Sequence, residues 1–383
     1  MRKLYCRHSK NPDEWSSLDF SYARAYGGRS LPRRALSECV VDAAVITETL
    51  VDALSEILKT VKLDGAVYLN AEFTAPWCVE AGYGMPVDTA KAIGADHIVF
   101  FHCLIEGRCK ARLVDGSDTI DLTSGDLVLF PHDHRHLVGS DLRLPSIDAD
   151  TIAPTPGASE MIQLHYGGGG EATRFVCGYL ACNRRVCRAL LSALPQVMRI
   201  PLHEDVEGGW LLDLLRLGVR ESIANEPGAH SILTKLSELL FAEALRRYAE
   251  TLPPEQPGWL AGLRDPLVGR ALTLMHRHPY DAWTVDSLAR ATASSRSALA
   301  DRFTTLIGEP PMKYLTSHRL ALAAQTLRAG SASVADIADT IGYGSEAAFA
   351  RAFKREFGAS PAVWRKGSRK TARSNPTPSS ALH

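Results

Sequence analysis

The chain has 383 residues, 43 Lys and Arg against 43 Asp and Glu, and a hydrophobic content of 45%. That length holds two or three domains. No apolar run approaches the roughly 18 residues of a membrane helix, and the N-terminus lacks the apolar core of a signal peptide. The expectation is a cytoplasmic protein with no membrane partner, whose eight cysteines (Cys6, Cys39, Cys78, Cys103, Cys109, Cys177, Cys182 and Cys187) are free thiols. The balanced charge is unevenly spread. Residues 266–373 carry 16 Lys and Arg against 8 Asp and Glu, so the remainder is acidic by the same margin. A basic nucleic-acid module joined to an acidic body has this signature.

Residues 1–50 mix Arg, Ser, Gly, Pro and Tyr without a sustained period and read as a poorly structured extension. Helical spacing begins at Val51 and continues through Leu54, Ile57, Leu58 and Val61. Val51 is also a candidate alternative start, which would leave the first fifty residues out of the native protein. From 65 to 175 the texture is that of strands. Residues 66–73 alternate, 98–104 form a buried apolar run, and Glu106-Gly107 and Asp115-Gly116 mark turns around 109–114. Residues 120–122 and 127–130 follow, separated by Ser124-Gly125-Asp126 and closed by Pro131. Short strands at regular spacing predict a small barrel or sandwich. Residues 141–157 are a Pro- and Asp-rich loop, and 161–166 with 174–180 read as a hairpin around Gly167–Gly170. That glycine run lacks the Gly-Lys-Ser/Thr of a phosphate loop.

The middle is helical. A short helix at 187–194 stops at Pro195, an amphipathic one spans 210–224, and Ser231 is placed to cap a third at 232–252. Residues 253–258 are a linker.

Two similar units follow. In the second, Ser333 is placed to cap a short helix, with Asp336 completing a capping-box-like start. Ile337, Ala338 and Ile341 form its inner face, and Gly342 can supply a left-handed turn. Ser345 caps the next helix, whose Phe349 and Phe353 point inward. Gly358 ends that helix, and Pro361 with Trp364 anchors a closing helix. The first unit aligns about fifty residues upstream: Leu288-Ala289 match Ile337-Ala338, and Ser295, Leu299 and Phe303 match Ser345, Phe349 and Phe353. Ala293 stands where the turn favours Gly, at a cost of about 1 kcal/mol if its φ is positive. Residues 310–327 read as one helix of roughly 27 Å. With its flanking turns it can set two recognition helices about one DNA turn, ~34 Å, apart. The tail at 367–383 is polar and expected to be disordered.

The stretch GEPPMKYLTSHRLALAAQTLRAG followed by SVADIADTIGYGSEAAFARAFKREFGASPAVWRK closely resembles the AraC/XylS-type DNA-binding domain, over residues 267–366. The resemblance implies base contacts from Arg296, Ser297, Ala300 and Asp301 in the first recognition helix, and from Glu346, Ala347 and Arg351 in the second. Arg302, Lys354 and Arg355 are expected on phosphates. Several of the base-facing residues are small or acidic, which favours readout of DNA shape.

The upstream segments APWC (75–78), IEGRC (105–109), SGDLVLFPHDHRH (124–136) and GGGGEATRFVCGYLAC (167–182) resemble the cupin-like domain carried by one branch of AraC-type regulators. The resemblance implies an α+β chain. A cupin-like β-barrel at 51–202 holds an effector, helices at 203–258 make a homodimer, and an all-α domain at 259–366 binds double-stranded promoter DNA. RNA polymerase is a candidate further partner, and the effector is a small molecule or stress signal of unknown identity. Trp77, His102 and His136, with Tyr83, are candidate effector-pocket residues. His97, His102, His132, His134, His136 and His165 invite a metal reading. Metal cupins use His-x-His, whereas His97 and His102 are five apart and fall on opposite faces of a regular strand. Asp133 also stands where Gly is usual. No metal, cofactor or catalytic residue is therefore assigned. The alternative is a metal-dependent cupin oxygenase or isomerase carrying a DNA-binding domain. A thiol sensor would use Cys103 and Cys109, brought together across the Glu106-Gly107 turn.

Overall fold

A computed structural model describes residues 54–56, 58, 64–82, 95–152, 161–184, 186–253, 258–330 and 332–366, all within the unit Glu48–His383. The extension at 1–50, most of the helix at Val51, Tyr83 and the tail at 367–383 lie outside them.

Eleven strands make two sheets among the described residues. The six-stranded sheet contains β1 (Asp64–Thr74), β3 (His97–Glu106), β6 (Asp126–Phe130), β9 (Ile162–Gly167), β10 (Ala172–Cys182) and β11 (Met198–Pro201), in the order β11-β6-β3-β10-β1-β9. The five-stranded sheet contains β2 (Cys78–Ala81), β4 (Arg108–Leu113), β5 (Ile120–Thr123), β7 (His136–Gly139) and β8 (Ile147–Asp148), in the order β5-β4-β7-β2-β8. A four-residue helix, α1 (Ala149–Ile152), follows β8.

The sheets pack face to face. Strand β3 shows why, because successive side chains point to opposite sides. Its Ile98, Phe100 and Leu104 join Val79, Ala111, Leu122 and Val138 of the smaller sheet in one core. Its Val99, Phe101 and Cys103 join a second core against the helices. A strand covered on both faces reads as a continuous apolar run rather than an alternating one. Among the described residues no strand pairing joins the two sheets, so the architecture is an open sandwich and not the closed barrel expected.

Two further expectations are corrected here. Strand β9 does not form a hairpin with β10; it pairs parallel with β1, while β10 pairs antiparallel with both β1 and β3. The glycine run crosses the end of β1, with Gly168 N–H on the Thr74 carbonyl at 2.8 Å and Gly170 N–H on the Ala75 carbonyl at 2.8 Å. Gly167 takes φ +134°, and a Cβ there would sit 2.0 Å from the Thr74 carbonyl oxygen, so the close approach needs glycine. Nor is Glu106-Gly107 a hairpin turn, because β3 and β4 belong to different sheets. Cys103 therefore lies in the helix-side core and Cys109 in the sandwich core.

Beyond β10, α2 (Arg188–Ser192) is short, and α3 (Val206–Ile223) and α4 (Ala229–Thr251) cover the outer face of the six-stranded sheet. Asp205 caps α3 by accepting from Gly208 N–H, so this helix starts four residues ahead of Trp210. Helix α4 starts at Ala229 after Gly228 in a left-handed turn, which leaves Ser231 inside it rather than at its cap. Arg247 fastens the pair, reaching Glu243 at 2.6 Å within α4 and Asp205 at 2.7 Å at the head of α3.

The C-terminal part is helical: α5 (Trp259–Arg264), α6 (Pro266–Arg277), α7 (Val285–Ala291), α8 (Arg296–Ile307), α9 (Pro311–Ala329), α10 (Val334–Thr340) and α11 (Glu346–Phe357), then a helical turn at 361–366. One apolar core runs unbroken from the sheet face through α3 and α4 into α5–α8 and the start of α9. The remainder of α9 with α10 and α11 forms a core of its own.

Candidate nucleic-acid interface

The two helix-turn-helix units are built on the same local chemistry. Thr284 and Ser333 open α7 and α10 with reciprocal capping boxes to Ser287 and Asp336. Ser295 and Ser345 cap α8 and α11 by accepting from the N–H three residues on. The turns between them match bond for bond. Ser294 N–H reaches the Ala289 carbonyl and Tyr343 N–H the Ala338 carbonyl, each at 2.9 Å. The residue before each donor is left-handed: Ala293 at φ +55° and Gly342 at φ +85°. Alanine occupies the strained position, as its place in the sequence predicts.

Packing fixes which face each recognition helix shows. Leu299, Phe303 and Leu306 hold α8 inward, and Phe349, Ala352, Phe353 and Phe357 hold α11 inward. Arg296, Ser297, Asp301 and Arg302 are exposed on α8, and Ala300 is half-buried. Glu346, Ala347, Arg351, Lys354 and Arg355 are all exposed on α11. Ala347, Arg351 and Arg355 recur every four residues and so share one face.

Two of the cations have protein partners that the sequence does not reveal. Arg302 Nε lies 2.8 Å from Asp265 Oδ2, and Asp265 also caps α6 through Leu267 and Val268 N–H. Arg296 Nη1 lies 3.4 Å from Asp286 on α7.

Arg319, which sequence reasoning passed over, fastens α9 to the first unit. From α9 it donates to the Pro279 carbonyl at 2.5 Å and the Asp281 carbonyl at 2.6 Å, both in the connection before α7. It also lies beneath the turn of the second unit, where a Cβ on Gly342 would meet its Nη1 at 3.7 Å. A guanidinium with several donors in a fixed fork can serve both neighbours at once.

The sandwich holds the histidines. His102 Nε2 and His136 Nε2 are 2.7 Å apart, His102 Nδ1 lies 2.9 Å from Cys177 Sγ, and His136 Nδ1 lies 2.9 Å from the His134 carbonyl. The carbonyl orders the protons, because it can only accept. His136 Nδ1–H donates to it, which leaves His136 Nε2 to accept from His102 Nε2–H. His102 Nδ1 then accepts from the Cys177 thiol. Burial drives the pKa of His136 down to about 4 and that of His102 well below 6.5, with His136 adding to the effect on His102. Burial likewise pushes the Cys177 thiol up, so the chain is neutral throughout. His97 instead reaches the Pro131 carbonyl at 2.7 Å, and His132 the Leu194 carbonyl at 3.0 Å. Among the described residues no group of three or more His, Cys, Asp and Glu is placed to hold a metal.

Trp77 stacks on Phe73 at 4.4 Å and meets Phe175 edge-on. Trp77, His102 and His136 are therefore buried together in the sandwich core. An open cleft of about 550 Å³ lies at one end of the sandwich, lined by Pro76, Arg108, Lys110, Asp121, Glu171 and Thr173 among others. Arg108 pairs with Glu171 at 3.1 Å and Lys110 with Asp121 at 2.5 Å across it.

Comparison with known proteins agrees with this division. Residues 52–250 match the family described as Cupin, and residues 288–367 match the family described as Helix-turn-helix domain. An AraC-like transcription regulator of Streptomyces lividans is 34% identical over 72% of this chain and 90% of its own length. The HTH-type transcriptional regulator AlkR of Acinetobacter baylyi is 31% identical over 83% of this chain and its full length. Among solved structures, the DNA-binding domain of AdpA in complex with a target DNA is 28% identical, covers 27% of this chain and 95% of that domain, and has a TM-score of 0.26. Among the described residues no helix is long and apolar enough to cross a membrane. A cupin-type sheet domain ahead of paired helix-turn-helix units, with relatives of this identity along most of the chain, places the protein in the AraC-like family of DNA-binding transcription regulators.

Proposed function

We propose that the chain is a cytoplasmic, non-enzymatic regulator that grips promoter DNA as a homodimer and is controlled by a small molecule taken up by the sheet domain. The observation that carries the DNA reading is the matched pair of units, each with a capped recognition helix, joined through α9, which Arg319 fastens to the connection before α7. An exposed helix of this width fits the major groove, with its N-terminal side chains toward base edges. On this reading Arg296, Ser297, Ala300 and Asp301 face bases from α8, and Glu346, Ala347 and Arg351 do so from α11. Lys354 and Arg355 meet phosphates. Arg302 reaches a phosphate only by leaving Asp265.

The open cleft favours a polar effector, because its walls carry two exposed ion pairs, Arg108–Glu171 and Lys110–Asp121, whose polar atoms such a molecule can share. Trp77, His102 and His136 lie behind it in the sandwich core and would sense it through packing. The exposed apolar side chains of α3 support a homodimer through that helix, and RNA polymerase stays a candidate partner at the promoter.

The test is selection of fragments from random duplex DNA by the purified full chain, followed by footprinting. Two protected major-groove segments about one helical turn apart support the reading. A single protected segment contradicts the paired reader, and random recovery contradicts sequence-specific binding.

A further inference from the structure

A second cavity, of about 70 Å³, lies where three parts of the molecule meet. The stretch after β10 supplies Val186 to Leu190, the helices α5, α6 and α9 beside the first helix-turn-helix unit supply Trp259, His276, Tyr314 and His318, and α11 of the second supplies Glu356 and Phe357. The stretch after β10 is pinned at its start, with Arg184 N–H on Asp96 at 2.7 Å and Cys187 N–H on the Asn183 carbonyl at 2.9 Å. It then contacts the second reader twice. Val186 packs on the core of the second unit, and Arg188 lies 3.5 Å from Glu356 of α11.

The polar groups in this cavity are incompletely matched. Trp259 Nε1–H donates to Tyr314 Oη at 3.2 Å, and Tyr314 Oη lies 2.8 Å from His276 Nε2. Having accepted from the indole, the tyrosine hydroxyl sends its own proton to His276 Nε2. The neutral His276 ring then carries its proton on Nδ1, which is buried and has no partner among the described residues. Nε2 of His318, a residue 8% exposed, has none either, and the two rings are 3.9 Å apart. A buried donor without an acceptor costs about 1–3 kcal/mol. Two unpartnered nitrogens side by side in a mostly apolar cavity of this size leave hydrogen-bonding capacity that water or a molecule of a few heavy atoms can fill.

The rim decides the charge of the ligand. Glu309 and Glu356 line the cavity, and the nearby cations are already committed, Lys313 to Glu309 at 3.4 Å and Arg188 to Glu356 at 3.5 Å. An anion would meet two carboxylates and no free cation among the lining residues, and a cation would find both carboxylates already paired, with Lys313 and Arg188. We propose that this junction is a regulatory site for a small uncharged molecule whose carbonyl or hydroxyl oxygen accepts from His276 Nδ1–H. Its occupant touches the stretch after β10, the helices α5, α6 and α9 that carry the first reader, and α11 of the second, so binding biases how α11 sits against the stretch after β10. This site is separate from the open cleft of the sandwich and does not depend on it.

The test uses the full chain, with acetone and 1-propanol as probes and propionate as the charged control. Imidazole ¹⁵N shifts report occupancy at the histidines, and anisotropy reports affinity for a selected duplex. The expected result is a saturable shift with both neutral probes and a changed DNA affinity on saturation. Binding should weaken by about tenfold or more in Ala321→Leu, which fills the cavity, and in His276→Phe, which removes the donor. Should Ala321→Leu fail to fold, His276→Phe decides alone. The proposal is overturned by the absence of a saturable shift, as solvent alone would give, by equal binding to the variants, or by propionate binding as tightly. Binding that leaves DNA affinity unchanged overturns its regulatory part.

Discussion

Arg302 Nε lies 2.8 Å from Asp265 Oδ2, so an arginine on the first recognition helix is held by the carboxylate that caps α6. Asp265 is 10% exposed at its side chain and Arg302 50%, so the acid is the more committed partner. Asp265→Ala should cost about 1–2 kcal/mol, through the lost cap and the stranded arginine. Arg302→Ala should cost about 1 kcal/mol or less. Urea unfolding reads both. Arg302→Ala should also weaken DNA binding less than Arg351→Ala, which removes an exposed cation that pairs with no carboxylate among the described residues.

Ala293 at φ +55° and Gly342 at φ +85° occupy the same place in the two turns. Ala293→Gly should therefore stabilise the first unit by about 1 kcal/mol, and Gly342→Ala should destabilise the second by a similar amount. Opposite shifts of the urea midpoint are the expected result. Shifts of the same sign would mean that the turns are not equivalent.

Val206, Trp210, Leu214 and Leu217 form a stripe along α3 and are 64%, 67%, 47% and 41% exposed. Spacings of four, four and three keep them on one helix face. If a second copy covers that face, Trp210→Glu should weaken the dimer by about 2 kcal/mol or more. Sedimentation should then show monomer at concentrations where the parent chain is paired, with the thermal midpoint little changed.

Buried histidines set the acid limit of the fold. His136 and His318 have pKa values lowered to about 4 by burial, and burial holds His102 and His276 well below 6.5. Between the ordinary value of 6.5 and about 4, the unfolded chain takes up protons that the folded chain refuses. Stability is thus complete above pH 6.5 and falls with acidification, by up to ~1.4 kcal/mol per pH unit for each such histidine. Asp133 opposes this in part. Its carboxyl is raised to about 6 by burial, so its own contribution improves as pH falls. Urea midpoints at pH 7, 6 and 5 should decline, and His136→Asn should flatten the decline.

The helical half was legible because its signals are local. A cap, a left-handed turn and an inward aromatic each act within a few residues, so Ser333, Gly342 and Phe349 could be placed from sequence. The sheet half was legible as strands but not as pairings. What puts β1 between β9 and β10 is the glycine run folding over Thr74, a contact across more than ninety residues. The same holds for polar partners. Nothing near Arg302 announces Asp265, nothing near Arg319 announces Pro279, and nothing near His276 announces His318. The histidines of the sandwich were visible as a group, yet their order, ending on the His134 carbonyl, needs the register of β3, β7 and β10.

The central claim is that α8 and α11 read one duplex together. The most direct measurement is fluorescence anisotropy of a selected duplex against the full chain, titrated across salt concentration, with Arg296→Ala and Arg351→Ala beside the parent. Affinity should fall linearly in log–log form, with a slope of about −0.9 for each phosphate neutralised. Each variant should lose about 1–3 kcal/mol on the selected sequence and far less on random DNA. A flat salt response, or losses equal on selected and random duplexes, would contradict the account.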